Sequence, residues 1–407
     1  MSGEVSLSCQ MGRERVTASG GPQLAYVLVE AHPSAAVATA ARMPLNLSLV
    51  LDHSGSMKGA KLAAVKEAVK LVINNMDPRD IVSVVVFDDN VRVVVPAQPA
   101  ADKMALAAAV NAIKDGGGTA MSLGMSVSLT ELRKNAAPAS VNRMILLTDG
   151  VTYGDADRCR RIADDAGAVG IGIYPLGIGA DWDEDLLDNI GQRSSGVPAD
   201  FIRRPDDALG IFQRLFQSAA SVSVRNAQLT VRLPAGVTPK RAIRVLPLIA
   251  EQGQQTLSDR EVVLPLGDIE RDAPQAVLYE LMVEPKPAGT FRIAQAELTY
   301  DVPGHGTEKL RADAVVTFTN EVIPAEEANG TVMNFVEKAN AHRLVTKVLD
   351  EYKKTGKVTT RLHANVTRML DPETQRLLDQ AASGAALSKE DVKAIGNKTR
   401  KLTQAID

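Results

Sequence analysis

Residues 45–57 read LNLSLVLDHSGSM, and this stretch decides the fold class. Its first seven residues form a strongly apolar run of the kind found in buried strands. In residues 58–75, which follow, apolar side chains recur at the spacing of one helix face. The acid and the two hydroxyls of DHSGS therefore lie on the turn between a strand and a helix. In an open α/β sheet such turns lie at the carboxyl edge, where ligands usually bind.

Two further fragments offer oxygen atoms at turns of the same kind. Residues 116–119 read GGGT, a flexible loop that ends in a hydroxyl just before a helical pattern at 121–134. Residues 143–150 read RMILLTDG, a second apolar strand that ends in a carboxylate. The oxygen-bearing side chains of the three turns are those of Asp52, Ser54, Ser56, Thr119 and Asp149. Carboxylates and hydroxyls form a hard-oxygen set that suits a small divalent cation, with one position left for water or an incoming carboxylate.

This pattern resembles the metal-ion-dependent adhesion site of the von Willebrand factor A-domain (VWA) family. The family's site combines Asp-x-Ser-x-Ser, a distant threonine in a glycine-rich loop and Thr-Asp-Gly at a later strand end, and each element has a match here. The resemblance implies that Ser54 and Ser56 bind the metal directly. It implies that Thr119, Asp52 and Asp149 bind it directly or through water. Mg²⁺ is the expected ion because the site has few carboxylates, with Mn²⁺ or Ca²⁺ as alternatives.

The chain is predicted to contain an α/β domain over residues 44–220. Apolar strand runs and helical patterns alternate through this span, which indicates a doubly wound, Rossmann-like sheet. A β-branched run at 81–87 fits a central strand, and residues 91–95 fit a returning antiparallel strand at an edge. The VWA resemblance covers this domain, which is under half of the chain.

The rest of the chain has a different pattern of predicted secondary structure. Residues 221–322 contain short β-rich segments separated by Pro and Gly, as in a β-sandwich. Residues 1–43 contain further strand patterns, at 24–30 and at 13–17, which predicts that the α/β domain is inserted into the sandwich. Residues 323–407 are predicted to be helical. The layout resembles inter-alpha-trypsin-inhibitor heavy chains and bacterial VWA proteins loosely called calcium-activated chloride channel homologues.

Composition excludes several classes of function. The formal net charge of −3 gives no reason to expect a nucleic-acid partner. No stretch approaches the ~20 apolar residues of a membrane span, so the chain cannot itself form a pore. The first twenty residues hold no apolar run of signal-peptide length, and the two cysteines indicate no disulfide framework. These observations predict a cytoplasmic protein; the sequence does not indicate an oligomeric state.

The expected function is metal-dependent binding of a protein that presents an Asp or Glu carboxylate. Residues close in sequence to the three turns are candidates for the rim that contacts the partner: His53, Met57, Gly117, Tyr153 and Asp155. The chain is not expected to be an enzyme, since no nucleophile elbow, zinc-protease helix or phosphate loop is present. Two alternatives stay open: a metal-assisted hydrolase, and an accessory subunit of an ATPase or chelatase-type machine.

Overall fold

The computed structural model describes residues 3–34, 42–137, 139–251, 260–302, 305–358, 360 and 362–404. The chain divides into two compact units. One contains residues 39–226 and 302–306, and the other contains residues 1–38, 227–301 and 307–407. The second unit is therefore built from segments on both sides of the first.

The N-terminal segment forms three strands. They are β1 (Val5–Met11), β2 (Arg15–Thr17) and β3 (Gln23–Pro33). β1 pairs antiparallel with β3 along its whole length. The sequence predicted a strand within β3 and an earlier one at 13–17, but β1 was not predicted, because its side chains are mostly half-buried and polar.

In the residues that the structure describes, the α/β unit contains a six-stranded sheet and six α-helices. Its elements are β4 (Leu45–Asp52), α1 (Ala60–Asn75), β5 (Ile81–Phe87), β6 (Val91–Pro99), α2 (Lys103–Asn111), α3 (Met121–Arg133), β7 (Val141–Thr148), α4 (Ala156–Gly167), β8 (Ile171–Ile178), α5 (Glu184–Ser194), β9 (Asp200–Ile202) and α6 (Ala208–Ala220). The strand order is β6-β5-β4-β7-β8-β9, and all neighbours are parallel except β6, which returns antiparallel at the edge. The predicted doubly wound sheet is confirmed.

Helices cover both faces of this sheet. Leucines at alternate positions of β4 pack with α1 and with Phe212 of α6 in one continuous core. The opposite face packs against α3, which contacts β4, β5 and β7. Because both faces are covered, β4 and β7 are buried at every position. The sheet is thus a rigid platform for the turns at the carboxyl ends of these strands.

The β-rich part of the other unit consists of two five-stranded sheets. Its later strands are β10 (Val222–Arg232), β11 (Val237–Leu246), β12 (Ala250–Glu251), β13 (Glu261–Glu270), β14 (Gln275–Val283), β15 (Gly289–Val302) and β16 (Gly306–Thr319). The sheet orders are β1-β3-β14-β11-β12 and β13-β10-β15-β16-β2. The guanidinium of Arg244 on β11 donates to the Pro265 carbonyl on β13 at 2.5 Å, so the two sheets face each other.

Four helices end the described chain: α7 (Gly330–Thr355), α8 (Ala364–Met369), α9 (Pro372–Ala382) and α10 (Lys389–Arg400). The first half of α7 packs on the sheet that holds β3, β11 and β14, and its second half forms a core with the other helices. Asp371 and Ser388 accept backbone hydrogen bonds as the N-caps of α9 and α10. Within the described ranges, no helix combines the length and the apolar character that a bilayer crossing needs.

Candidate metal centre

The two carboxylates of the predicted site lie at the carboxyl ends of two adjacent strands. β4 and β7 run parallel in register, with Leu51 opposite Leu147. Asp52 is the last residue of β4, and Asp149 follows the last residue of β7. Both aspartates are buried, at 0% and 2% exposure. The topology therefore brings together two acids that are almost a hundred residues apart in sequence.

Four of the five predicted ligands form one hydrogen-bonded network. The Ser54 and Ser56 hydroxyl oxygens are 3.0 Å apart, and Ser56 Oγ donates to Asp149 Oδ1 at 2.6 Å. The carboxylate of Asp52 accepts the Ser54 backbone N–H at 2.8 Å, which holds the DHSGS turn in place. The other oxygen of Asp52 accepts the Thr148 hydroxyl at 2.6 Å. Thr148 was not among the predicted site residues, although it is part of the quoted Thr-Asp-Gly fragment.

Burial raises the pKa of the Asp52 carboxyl above its usual value, and the nearby Asp149 charge adds to the increase. The hydrogen bonds from Ser54 and Thr148 oppose this shift by favouring the ionised form. The ionised Asp52 is thus held in the protein interior by neutral donors. A positive charge placed beside it would be strongly favoured.

Lys61 already supplies one positive charge to the site. Its Nζ donates to Asp149 Oδ2 at 2.5 Å, while the Asp149 side chain has no exposed surface. Lys61 is the second residue of α1, and its side chain is 32% exposed. Sequence reasoning missed this residue. The available signal was a basic residue in the first turn of a helix that has no acidic residue there.

The glycine loop is held by the carboxylates of the β5–β6 turn. Gly117 N–H donates to Asp88 Oδ2 at 3.1 Å, and Gly118 N–H donates to Asp89 Oδ2 at 2.9 Å. A Cβ atom at Gly118 would lie 2.2 Å from Asp89 Oδ1, so a larger residue there would displace the Asp89 carboxylate from this hydrogen bond. The loop delivers Thr119 to the site, where its Oγ1 lies 3.7 Å from the position of a Cβ built on Gly150. The sequence indicated a turn at 88–90 but not this role.

Two of the five rim candidates are buried, which corrects their assignment. Met57 has 0% exposure because it belongs to the core under α1, so it cannot contact a partner. His53 is 9% exposed, and its Nδ1 is 2.8 Å from the Lys114 carbonyl. Since a carbonyl only accepts, Nδ1 is the protonated nitrogen, and Nε2 lies 3.9 Å from Asp88 Oδ2. The buried His53 ring therefore helps to hold the segment that leads into the glycine loop.

The other three candidates differ in what their side chains contact. Tyr153 is 82% exposed, and Gly117 is exposed as well. Asp155 is half-buried, and its carboxylate accepts the Thr152 hydroxyl and the Ser122 N–H at the start of α3. Asp155 thus stabilises the helix that follows the glycine loop. Of the five rim candidates, Tyr153 and Gly117 are the exposed ones.

The donor set fits a hard cation. Two buried carboxylates and the hydroxyls of Ser54 and Ser56 meet in one network, and one carboxylate already has a cation beside it. Over the ranges that the structure describes, no three His, Cys, Asp or Glu side chains cluster in a way that could hold a metal. A metal ion bound at these turns would therefore need the serine and threonine hydroxyls as ligands. Such a ligand set suits Mg²⁺, and not the thiolate and imidazole sites typical of zinc.

Comparison with known proteins agrees with this architecture. Residues 46–213 match the model of the von Willebrand factor type A domain. An uncharacterized protein of Synechocystis is 32% identical over 279 residues, which cover 67% of this chain and 65% of that protein. The inter-alpha-trypsin inhibitor heavy chain H2 of Mus musculus is 28% identical over 197 residues, which cover 46% of this chain and 21% of the heavy chain. The chain thus spans under two thirds of each of these relatives.

Two solved structures share the fold over nearly the whole chain. The von Willebrand factor type A protein from Catenulispora acidiphila superposes with a TM-score of 0.79 at 20% identity, covering 98% of this chain and 96% of that one. The ArnB paralog VWA2 from Sulfolobus acidocaldarius gives a TM-score of 0.59 at 15% identity, covering 98% and 99%. At these identities the likeness concerns the fold alone.

Proposed function

We propose that this chain, which belongs to the von Willebrand factor type A family, binds a partner protein through a divalent cation held at the carboxyl edge of its α/β sheet. VWA domains commonly serve in adhesion and protein-interaction modules, and they often bind a divalent metal. The observation that carries the proposal is the single network joining Asp52, Ser54, Ser56 and Asp149.

The proposed ligands are Asp52, Ser54, Ser56, Thr119 and Asp149, and the proposed ion is Mg²⁺. When bound, the cation supplies a concentrated positive charge that can attract a carboxylate of another molecule. The chain's own residues do the rest. The Thr148 hydroxyl and the Ser54 N–H orient Asp52, and the clamped glycine loop presents Thr119.

The proposed partner presents an Asp or Glu side chain. Mg²⁺ takes six oxygen ligands in an octahedral arrangement, and the five proposed side chains leave one position at which an acid of another molecule would coordinate the ion. Tyr153 and Gly117 are exposed and close in sequence to the ligand turns, so we propose that they contact the partner around the acid. Aromatic residues of this kind are enriched at protein interfaces.

The proposal includes no catalytic step. His53 is the histidine nearest to the ligands in sequence, and only 11% of its side chain is exposed, which leaves it poorly accessible to a substrate proton. We also propose a reducing compartment such as the cytoplasm. Both cysteines, Cys9 and Cys159, are free thiols, and burial raises the pKa of each to about 12.

The first experiment is a calorimetric titration of Mg²⁺ and Mn²⁺ into the full chain. We expect saturable binding of one ion, and loss of binding in Asp52→Asn, which preserves shape but removes the charge. Asp102→Asn is the matched control because Asp102 is an exposed N-cap of α2 in the same unit. Absence of divalent binding to the unaltered chain would refute the metal centre.

The second experiment tests the partner's carboxylate. The immobilised full chain is offered paired peptide libraries that differ only in Glu versus Gln, in Mg²⁺ and in EDTA. We expect retention of Glu peptides in Mg²⁺ alone, and none by the Asp52→Ala, Ser54→Ala double variant. Equal retention of Glu and Gln peptides would show that binding does not require a carboxylate of the partner.

A further inference from the structure

The position of Lys61 is unfavourable for the helix that carries it. Lys61 is the second residue of α1, where the N-terminal end of the helix dipole is positive. A lysine at this end is disfavoured because its charge has the same sign as the helix end. α1 has no acidic residue in its first turn to offset the charge. Among the residues that the structure describes, its ammonium pairs with the Asp149 carboxylate, 2.5 Å away.

The Asp149 carboxylate requires a cation in every state. Its side chain is fully shielded from solvent, and the two oxygens are taken by Ser56 and Lys61. A buried carboxylate that loses its charge partner is strongly destabilised. The ammonium of Lys61 therefore fills the electrostatic role that a metal ion would fill at this ligand.

Only one of the two Asp149 contacts can open toward solvent without disturbing the site. Ser56 is itself a proposed ligand, whereas Lys61 approaches from the rim with 32% of its side chain exposed. Its long flexible chain can withdraw into water, where an ammonium is well solvated. Replacement of one ammonium by a divalent ion would also neutralise the second carboxylate, Asp52.

We propose that Lys61 is a built-in competing cation, which occupies Asp149 in the metal-free protein and must be displaced when the divalent ion binds. This inference rests on the proposed metal centre and specifies how its affinity is set. The ammonium stabilises the empty site and lowers the apparent affinity for metal, because binding must overcome the lysine contact. Lys61 thus keeps the site free of metal until the concentration of the divalent ion is high enough to displace it.

The test compares Lys61→Gln with the unaltered chain by Mn²⁺ calorimetry and by thermal unfolding in EDTA. We expect Lys61→Gln to bind Mn²⁺ at least roughly tenfold more tightly and to unfold at a lower temperature without metal. If Lys61 had only a structural role, Lys61→Gln would lower both the Mn²⁺ affinity and the unfolding temperature. Lys61→Arg keeps the charge and should retain the weak affinity.

Lys58→Gln is the matched control. It removes the same charge from an exposed residue three positions earlier, and its Mn²⁺ affinity should match that of the unaltered chain. If Lys61→Gln binds Mn²⁺ no more tightly than the unaltered chain, or if Lys58→Gln tightens binding equally, Lys61 is not the competitor, although the metal centre stands. If no variant binds Mn²⁺, the proposed function and this inference fail together.

Discussion

The two aspartates of the site are buried to the same degree but are stabilised by different neighbours. Asp52 has a backbone N–H and the Thr148 hydroxyl as partners, both of them neutral. Asp149 has a hydroxyl and the Lys61 ammonium. A buried acid with neutral donors retains an unmet electrostatic demand, whereas a paired acid does not. Asp52 therefore accounts for most of the demand for a cation, and Asp149 for the competition.

His342 on α7 makes stability depend on pH far from the site. Burial, together with the nearby Arg400 charge, lowers its pKa to about 4. The unfolded chain binds this proton near pH 6.5, so between the two values the unfolded state carries more protons. Stability is fully present above pH 6.5 and falls as the pH drops toward 4, by on the order of 3 kcal/mol. Urea unfolding across this range measures the effect.

The comparison variant is His342→Gln, which can keep a hydrogen bond to the Thr399 hydroxyl but cannot titrate. Its stability should depend less on pH over the same range. His363→Gln, at the exposed N-cap of α8, should show the full dependence of the unaltered chain. An equal slope in the unaltered chain and His342→Gln would mean that His342 does not titrate differently on folding.

At the scale of elements, local pattern predicted the α/β unit well. β5 was predicted at 81–87 and spans those residues, and α3 was predicted at 121–134 and ends at Arg133. These segments have apolar periodicity because they face a core. β1 and the six-residue α8 were missed, since half-buried polar strands and very short helices leave little periodic signal.

Two helical glycines make opposite predictions for the same substitution. A Cβ atom on Gly124 of α3 would lie 2.7 Å from the Phe87 ring of β5, so α3 packs closely on the sheet only because this residue is glycine. Gly124→Ala should lower the free energy of unfolding by about 1–3 kcal/mol through overpacking. Chemical denaturation with a probe in the α/β unit measures the change.

Gly210 of α6 is the matched control. A Cβ atom there would meet nothing within 4 Å, so Gly210→Ala should stabilise the protein by roughly 0.5–1 kcal/mol through helix propensity. If both variants were stabilised, the close contact between α3 and Phe87 would be absent in solution.

At the scale of the whole chain, the site forms because the sheet topology brings together turns that are distant in sequence. The sequence named Asp52 and Asp149 because each follows an apolar strand, and the parallel pairing of β4 and β7 explains their proximity. The sequence did not indicate the roles of Lys61, Asp88 and Asp89. Their side chains contact residues that are distant in sequence, and such contacts produce no local sequence pattern. The hydroxyl residues were recognisable as a motif, but the lysine paired with Asp149 and the carboxylates that hold the glycine loop were not.

Divalent metal should therefore stabilise the α/β unit in particular. An ion that binds only the folded site adds about 2.7 kcal/mol at a free concentration of 100 times the dissociation constant. Hydrogen exchange of the most protected amides in β4 and β7 should then slow by roughly a hundredfold. Amides of β14, which belongs to the other unit, should change little. Asp52→Asn should abolish the slowing. Unchanged exchange in β4 and β7 at saturating Mg²⁺, or equal slowing in Asp52→Asn, would show that the ion does not bind through these turns.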